Sequence, residues 1–393
     1  MGQAGARRSP AALRVLVAGG GVAGLETILA LRELAGELVE LELLSPEHHF
    51  WYRPLSVAEP FDRSRTPSFE LPALAAAAGA AFTPGALVAV DADAHVAHTS
   101  RGAELPYDVL VVACGTHAVE VLDGALTFRG PSDADRFRAL LGEIERGDAT
   151  RVAFVLPPGA GWSLPLYELA LLTSARVDGV DLDVVTHEEA PLALFGPGAS
   201  TRVAGLLRER GIAVHLGRRP LSYADGWLEL DEELSLPADR VVALPRLEGP
   251  RIAGVPHDAQ GFVKVDRCGR VEELEDVYAA GDITTFPVKQ GGIASQQADL
   301  VARSIAERAG AAIEDERADV VAFAVLLTGG EPIYLQADLA PGHEQATTLA
   351  SDPLFWPPSK VAARRLAPFL ASMSSSYGAE FRGSAESVEI APT

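Results

Sequence analysis

The hexapeptide Gly19-Gly20-Gly21-Val22-Ala23-Gly24 restricts this chain more than any other stretch of it. Before it, residues 13–18 form a short apolar run, the pattern of a buried strand. After it, Val22, Leu25, Ile28, Leu29 and Leu31 recur at helical spacing across residues 22–34, and residues 38–44 read as a second strand. The motif is thus G-x-G-x-x-G at the first turn of a βαβ unit. Gly19 permits the tight turn, Gly21 lets a pyrophosphate approach the backbone, and Gly24 lets the helix pack closely. The helix N-terminus at Val22 and Ala23 then faces the anion. A dinucleotide is expected there. An acidic residue is expected roughly 20 residues further on to hold the ribose hydroxyls. Ser45 occupies that place, with Glu42 before it and Glu47 after it. Glu47 is the expected ligand with Ser45 contributing, and Glu42 is expected to be a charge on the strand face.

A second βαβ pattern follows, with a strand at 151–156, a helix at 166–173 and a strand at 182–186. Further strands are expected at 86–90, 109–113, 241–244, 262–266 and 277–280, the last before a helix at 293–308. The final seventy residues change character. They offer strands at 320–327 and 332–335, a Pro/aromatic stretch at 353–358, a helix at 360–370 and a small, polar tail after Ser372. The expected class is α/β: two Rossmann-like, three-layer ββα domains and a C-terminal segment. Residues 13–125 plus 250–324 form the discontinuous first domain, 126–249 the second, and 325–393 the segment.

Composition removes whole classes. With 33 basic and 54 acidic residues, the formal net charge of −21 repels phosphate backbones, so no nucleic-acid partner is expected. Cys114 and Cys268 are the only cysteines, which excludes a disulfide framework, a zinc ribbon and an iron–sulfur site. The longest apolar stretch, 71–82, falls far short of the ~20 residues of a membrane span. Arg7-Arg8 resembles an export signal, but cleavage behind it would destroy the first strand, so a cytoplasmic chain is expected. No H-x-x-x-H, carboxylate cluster or G-x-S-x-G suggests a metal or a serine nucleophile.

Four further segments carry a family resemblance. Val277-Tyr278-Ala279-Ala280-Gly281-Asp282 ends a strand in Gly-Asp, and Leu110-Val111-Val112-Ala113-Cys114-Gly115-Thr116 resembles a V-x-A-T-G segment with Cys114 in the Thr place. Phe50-Trp51-Tyr52-Arg53-Pro54-Leu55 follows the second strand, and Pro287-Val288-Lys289-Gln290-Gly291-Gly292-Ile293 precedes Gln297-Ala298. Together they resemble the FAD-dependent pyridine nucleotide-disulfide oxidoreductases, and among these the sulfide:quinone oxidoreductases, the flavocytochrome c sulfide dehydrogenase flavoproteins and the type II NADH dehydrogenases. The likeness spans most of 13–308 and fades in the last seventy residues. It implies FAD, with Asp282 and Gly281 at the ribitol and Val88, Ala113, Cys114 and Gly115 completing the first domain's contacts. It also implies Lys289, Gly291, Gly292 and Ile293 against the flavin ring, where Lys289 tunes the redox chemistry. Arg53 stands about where the flavocytochrome relatives attach FAD through Cys, so non-covalent FAD is expected.

The departures matter as much. The first redox Cys of the sulfide-oxidising members falls on Trp162, five residues before Tyr167-Glu168, and no Cys follows Cys268. Both thiols are therefore read as structural. In the second βαβ unit, Pro157-Pro158-Gly159-Ala160-Gly161-Trp162-Ser163-Leu164-Pro165-Leu166 replaces a working glycine turn, so NAD(P)H docking is not expected. His48 and His49 are read as solvated, and His187 is left unassigned. Trp162, Tyr334, Phe355 and Trp356 are expected to line a substrate pocket. The C-terminal aromatics are equally open to a core, quinone-facing or membrane-facing role. The expected activity is oxidation or reduction of a small organic or quinone-like substrate. The alternatives are an NAD(P)H- or sulfide-dependent quinone reductase, and a non-catalytic flavoprotein serving a protein partner.

Overall fold

The apolar run Leu13–Ala18, buried from Val15 onward, is the middle strand of a five-stranded parallel sheet. The computed structural model describes residues 12–314, 320–339, 347–355 and 360–374. Across the sheet the order is Val277–Ala279, Val109–Val112, Leu13–Ala18, Val39–Ser45 and Ala81–Pro84, every neighbour parallel. Strands covered on both faces read as continuous apolar runs, which is why Val109–Val112 is apolar throughout. On one face the helices Val22–Ala35 and Gly291–Arg308 meet through Leu25, Ile28, Val301 and Ile305. On the other lies the antiparallel sheet Leu87–Asp91, Val96–Thr99 and Glu104–Pro106, with Leu87, Val90 and Ala97 packed on Leu16, Leu110 and Val112.

The second sheet repeats this plan. Its parallel order is Leu126–Thr127, Arg240–Ala243, Arg151–Leu156, Asp181–Thr186 and Ala213–His215. The helix Leu164–Arg176 packs on one face, and a second antiparallel sheet, Pro220–Ala224, Trp227–Leu230 and Ser235–Pro237, covers the other. The expected three-layer α/β architecture is therefore present twice.

The C-terminal region divides its packing between both stacks. The antiparallel strands Val321–Leu326 and Ile333–Asp338 bury Ala322, Ala324, Leu326, Leu335 and Ala337 in the core around the helix Leu164–Arg176. Val321–Leu326 runs across residue 324, where the sequence reading ended the first domain. The helix Leu366–Met373 instead buries Leu366, Ala367 and Leu370 in the core of the first stack. Among the described residues, no helix is long and apolar enough to cross a membrane.

Two expected elements differ. Residues 262–266 form only the isolated bridges Val263↔Thr284 and Val265↔Val271. The segment is held between two turns: the Asp258 carboxylate takes the N–H groups of Gln260 and Phe262 before it, and the Asp266 carboxylate those of Cys268 and Arg270 after it. The helix expected over 360–370 begins only at Leu366. Ahead of it, the backbone N–H groups of Val361 and Arg365 donate to the side chains of Tyr52 and Glu26.

Candidate functional site

The connection between Leu13–Ala18 and the helix Val22–Ala35 is only residues 19–21. Gly19 sits at φ +126°, and a Cβ on it would collide with the Ala113 carbonyl. A Cβ on Gly24 would collide with the Gly19 carbonyl, so helix and turn touch backbone to backbone. Gly21 differs: nothing lies within 4 Å of its Cβ position. Gly21 is also the N-cap, and no side chain caps the helix. An uncapped helix N-terminus beside open space offers several N–H donors to an anion. Ser45, buried at the end of its strand, accepts from the Glu47 N–H at 3.2 Å, while Glu47 is exposed. Glu42 accepts from Thr83 Oγ1 at 2.5 Å on the strand face.

The Gly-Asp turn closes against the same helix. Gly281, at φ +82°, would place a Cβ 2.9 Å from that of Ala23 and 3.4 Å from that of Ala294. Gln297 of the helix Gly291–Arg308 holds the turn, its Oε1 accepting from the Gly281 N–H at 2.7 Å. The carboxyl of Asp282 is held above the usual carboxylate range by burial, opposed by the charges of Lys289 and Arg53. No hydrogen bond from the described residues satisfies it. Arg53, Asp282 and Lys289 thus share one electrostatic neighbourhood.

Lys289 is buried, and desolvation pushes its ammonium down to about 8. The ammonium donates to the Thr284 carbonyl and stands 3.9 Å over the Phe262 ring. Its backbone N–H donates to Gly161 of the second stack at 3.0 Å. At the start of the long helix, Gln290 caps its own chain by accepting from the Ile293 N–H at 2.9 Å, and its Nε2 donates to Phe323. Gly291 and Gly292 make room for Val361, Gln290 and Ala362. Val88 lies apart on the antiparallel sheet, its side chain exposed and its carbonyl accepting from Ala253. Cys114 donates to the Ala18 carbonyl at 3.3 Å, and burial pushes its thiol up to about 12. Cys268 lies exposed in the Asp266 turn.

The second glycine turn is built differently. Between Arg151–Leu156 and the helix Leu164–Arg176 runs 157–163, more than twice the length of 19–21. Pro165 lies in the first turn of the helix and has no N–H to offer, and Leu166 is fully buried where a glycine would let helix and strand meet. Glu188 crosses the mouth of the turn, its carboxylate accepting from Ser163 at 2.9 Å, Tyr167 at 2.6 Å and Thr186 at 3.3 Å. A carboxylate already held by three hydroxyls repels a pyrophosphate and offers it no donors.

Residues 13–307 match the family described as pyridine nucleotide-disulphide oxidoreductase. The chain belongs to this family. An NADH dehydrogenase-like protein of Mycobacterium tuberculosis is 29% identical over 294 residues, 69% of this chain and 72% of the relative. A sulfide-quinone reductase of Aquifex aeolicus is 25% identical over 301 residues, 70% and 69% of the two chains. A demethylphylloquinone reductase of Synechocystis is 25% identical over 290 residues, 68% and 71%. Among solved structures, the sulfide:quinone oxidoreductase of Aquifex aeolicus shares the fold, with a TM-score of 0.77 over 86% of this chain and 87% of that one at 22% identity. These relatives are named as oxidoreductases, and this member of the family is an enzyme of that kind.

Within this oxidoreductase fold the expected pocket aromatics do not form one group. Trp162 packs edge-on against Phe195 with centroids 5.9 Å apart, and Phe355 packs on Phe323 at 5.2 Å. Tyr334 shares the outer face of its sheet with Phe323, two positions along the register. Among the described residues no ring contact joins Trp162 to Tyr334 or Phe355, and Trp356 lies outside the described residues. His48 and His49 are exposed, and His187 approaches the Leu156 carbonyl at 3.4 Å. Sequence reasoning missed Gln297, Glu188, Glu26 and the buried pair Glu168–Lys360. A signal existed for two of them: Glu26 and Glu168 stand in the most apolar faces of their helices, and a charge there needs a partner.

Proposed function

We propose that the enzyme binds FAD without a covalent bond and uses it to oxidise or reduce a small organic or quinone-like substrate. The observation that carries this reading is the junction of the two fingerprints: Gly281 against Ala23, with an uncapped helix on one side and the unbonded Asp282 carboxylate on the other. The cradle fits the cofactor chemically. The helix N-terminus at Gly21–Val22 would take the pyrophosphate, Ser45 and Glu47 the adenosine ribose, and Asp282 the ribitol hydroxyls. Arg53 and Lys289 would balance the Asp282 charge, and Lys289 would favour added negative charge nearby. When bound, the flavin supplies the electron transfer itself.

The relatives named as quinone reductases support a quinone as acceptor. The long 157–163 connection, Pro165 and the occupied Glu188 speak against NADH or NADPH as donor. The distance between the two thiols in sequence, with Cys114 locked on Ala18 and Cys268 in an exposed turn, speaks against a sulfide relay. The test begins with the purified protein. Acid or heat should release stoichiometric, intact FAD, and anaerobic NADH should leave the bound flavin oxidised while quinone oxidises the photoreduced protein. A colourless protein after FAD supplementation, or flavin that stays on the denatured chain, overturns the cofactor reading. Rapid bleaching by micromolar NADH overturns the donor reading.

A further inference from the structure

Residues 360–374 contact both helices of the cradle and the corner at Tyr52, and the second stack besides. Lys360 pairs with Glu168, which also accepts from the Leu327 N–H at 2.8 Å. The Val361 N–H donates to Tyr52 Oη at 2.9 Å, one residue before Arg53. The Val361 side chain fills the joint between the two cradle helices: a Cβ on Gly291 would lie 3.0 and 3.1 Å from its methyl groups and 3.7 Å from Val22. Glu26, on the helix that carries the first glycine turn, accepts from the Arg365 N–H at 2.9 Å and the Leu366 N–H at 2.8 Å. The Arg365 guanidinium reaches Glu33 at 2.7 Å and Asp299 at 2.5 Å.

Glu26 is 0% exposed, so its carboxylate depends on those two donors. The donors stand at the N-terminus of the helix Leu366–Met373 and reach Glu26 only while that helix is docked. Undocking strands a carboxylate inside the first cradle helix, one turn beyond Val22, and releases Val361 from between Val22 and Gly291. It also releases the Tyr52 corner that presents Arg53. The position of the cradle and the docking of the segment are therefore not independent.

We propose that residues 360–374 form a clamp coupled to cofactor occupancy, so that FAD binding at the glycine turns and docking of this segment strengthen each other through Glu26 and Tyr52. Coupling of this kind is reciprocal: whatever factor FAD adds to docking, docking adds to FAD affinity. The clamp rests on the FAD reading above, and its test separates the two.

Hydrogen exchange on the full-length protein, FAD-loaded and stripped, reads both ends at once. The Val361, Arg365 and Leu366 amides should exchange about tenfold more slowly when FAD is bound, alongside protection of residues 19–24. Glu26→Gln should shrink that difference and weaken FAD binding about five- to fiftyfold. Tyr52→Phe, which removes the hydroxyl that accepts from Val361, should do the same more mildly and keeps the test open if Glu26→Gln does not fold. Protection of 19–24 with unchanged exchange at 361–373 overturns the clamp and leaves the FAD reading standing. No FAD-dependent protection at 19–24 overturns both.

Discussion

A side chain on Gly281 would begin 2.9 Å from the Cβ of Ala23, so the two cofactor fingerprints meet with no space between them. The positive φ of +82° at Gly281 and this close approach act together. Gly281→Ala therefore strains the backbone and pushes the Asp282 turn away from the first helix. Strain of this kind costs about 1 kcal/mol before any clash is added. The expected outcome is at least about tenfold weaker FAD binding with secondary structure retained, checked by flavin titration beside far-UV circular dichroism. Unchanged affinity would show that the junction tolerates a methyl group and does not set the cradle.

The thiols should be dispensable. Cys114 donates to Ala18 inside the first stack and Cys268 sits in an exposed turn. Ser at either position keeps a small side chain with a donor. Both Cys114→Ser and Cys268→Ser are expected to retain FAD content and turnover within about twofold, with any stability loss below about 1.5 kcal/mol. Loss of turnover in a fully loaded Ser variant would identify a reacting thiol.

Lys289 should leave two signatures. Burial holds its ammonium at about 8, against 10.5 in the unfolded chain. Between those values the unfolded chain keeps a proton that the folded chain has lost, so stability rises with pH across that window. The urea midpoint of the cofactor-free protein should climb from pH 8 to 10.5 relative to Lys289→Met, and the two curves should run parallel below pH 8. With FAD bound, Lys289→Met should lower the flavin potential by the equivalent of about 1 kcal/mol, a severalfold change in equilibrium constant. A potential unmoved in the loaded variant would make Lys289 a structural contact of Thr284 and Phe262 alone.

The Glu168–Lys360 pair should behave as a unit. Burial pushes Glu168 up and Lys360 down, and each partner opposes the shift of the other. Lys360→Met alone leaves a buried carboxylate unpaired and should destabilise by about 3–5 kcal/mol. Glu168→Gln with Lys360→Met keeps an acceptor for the Leu327 N–H and removes both charges, so it should recover most of that loss. Denaturant unfolding of the two single variants and the double variant measures the coupling. Additive losses would mean that the two side chains act separately.

The glycine spacing and the apolar runs were enough to place the central strands of both parallel sheets and the first glycine turn, while the outer strands Ala81–Pro84, Leu126–Thr127 and Ala213–His215 went unread. Those features are local: a strand buried on both faces must be apolar throughout, and a turn of three residues must be glycine where backbone meets backbone. The departures at Trp162, Pro165 and Leu166 were legible for the same reason, since each sits at a fixed offset from its strand. Residues 262–266 and 360–365 misled because the N–H groups of Phe262, Val361 and Arg365 go to the side chains of Asp258, Tyr52 and Glu26, and Asp266 closes the turn behind 262–266, contacts that hydrophobic periodicity does not report. Glu26 and Glu168 were readable only as charges needing partners. Which partners they found was decided by where the tail returns, across the first stack to Glu26 and against the second at Glu168. A buried charge is satisfied by whatever the fold brings within about 3 Å, and only the tertiary structure sets that distance.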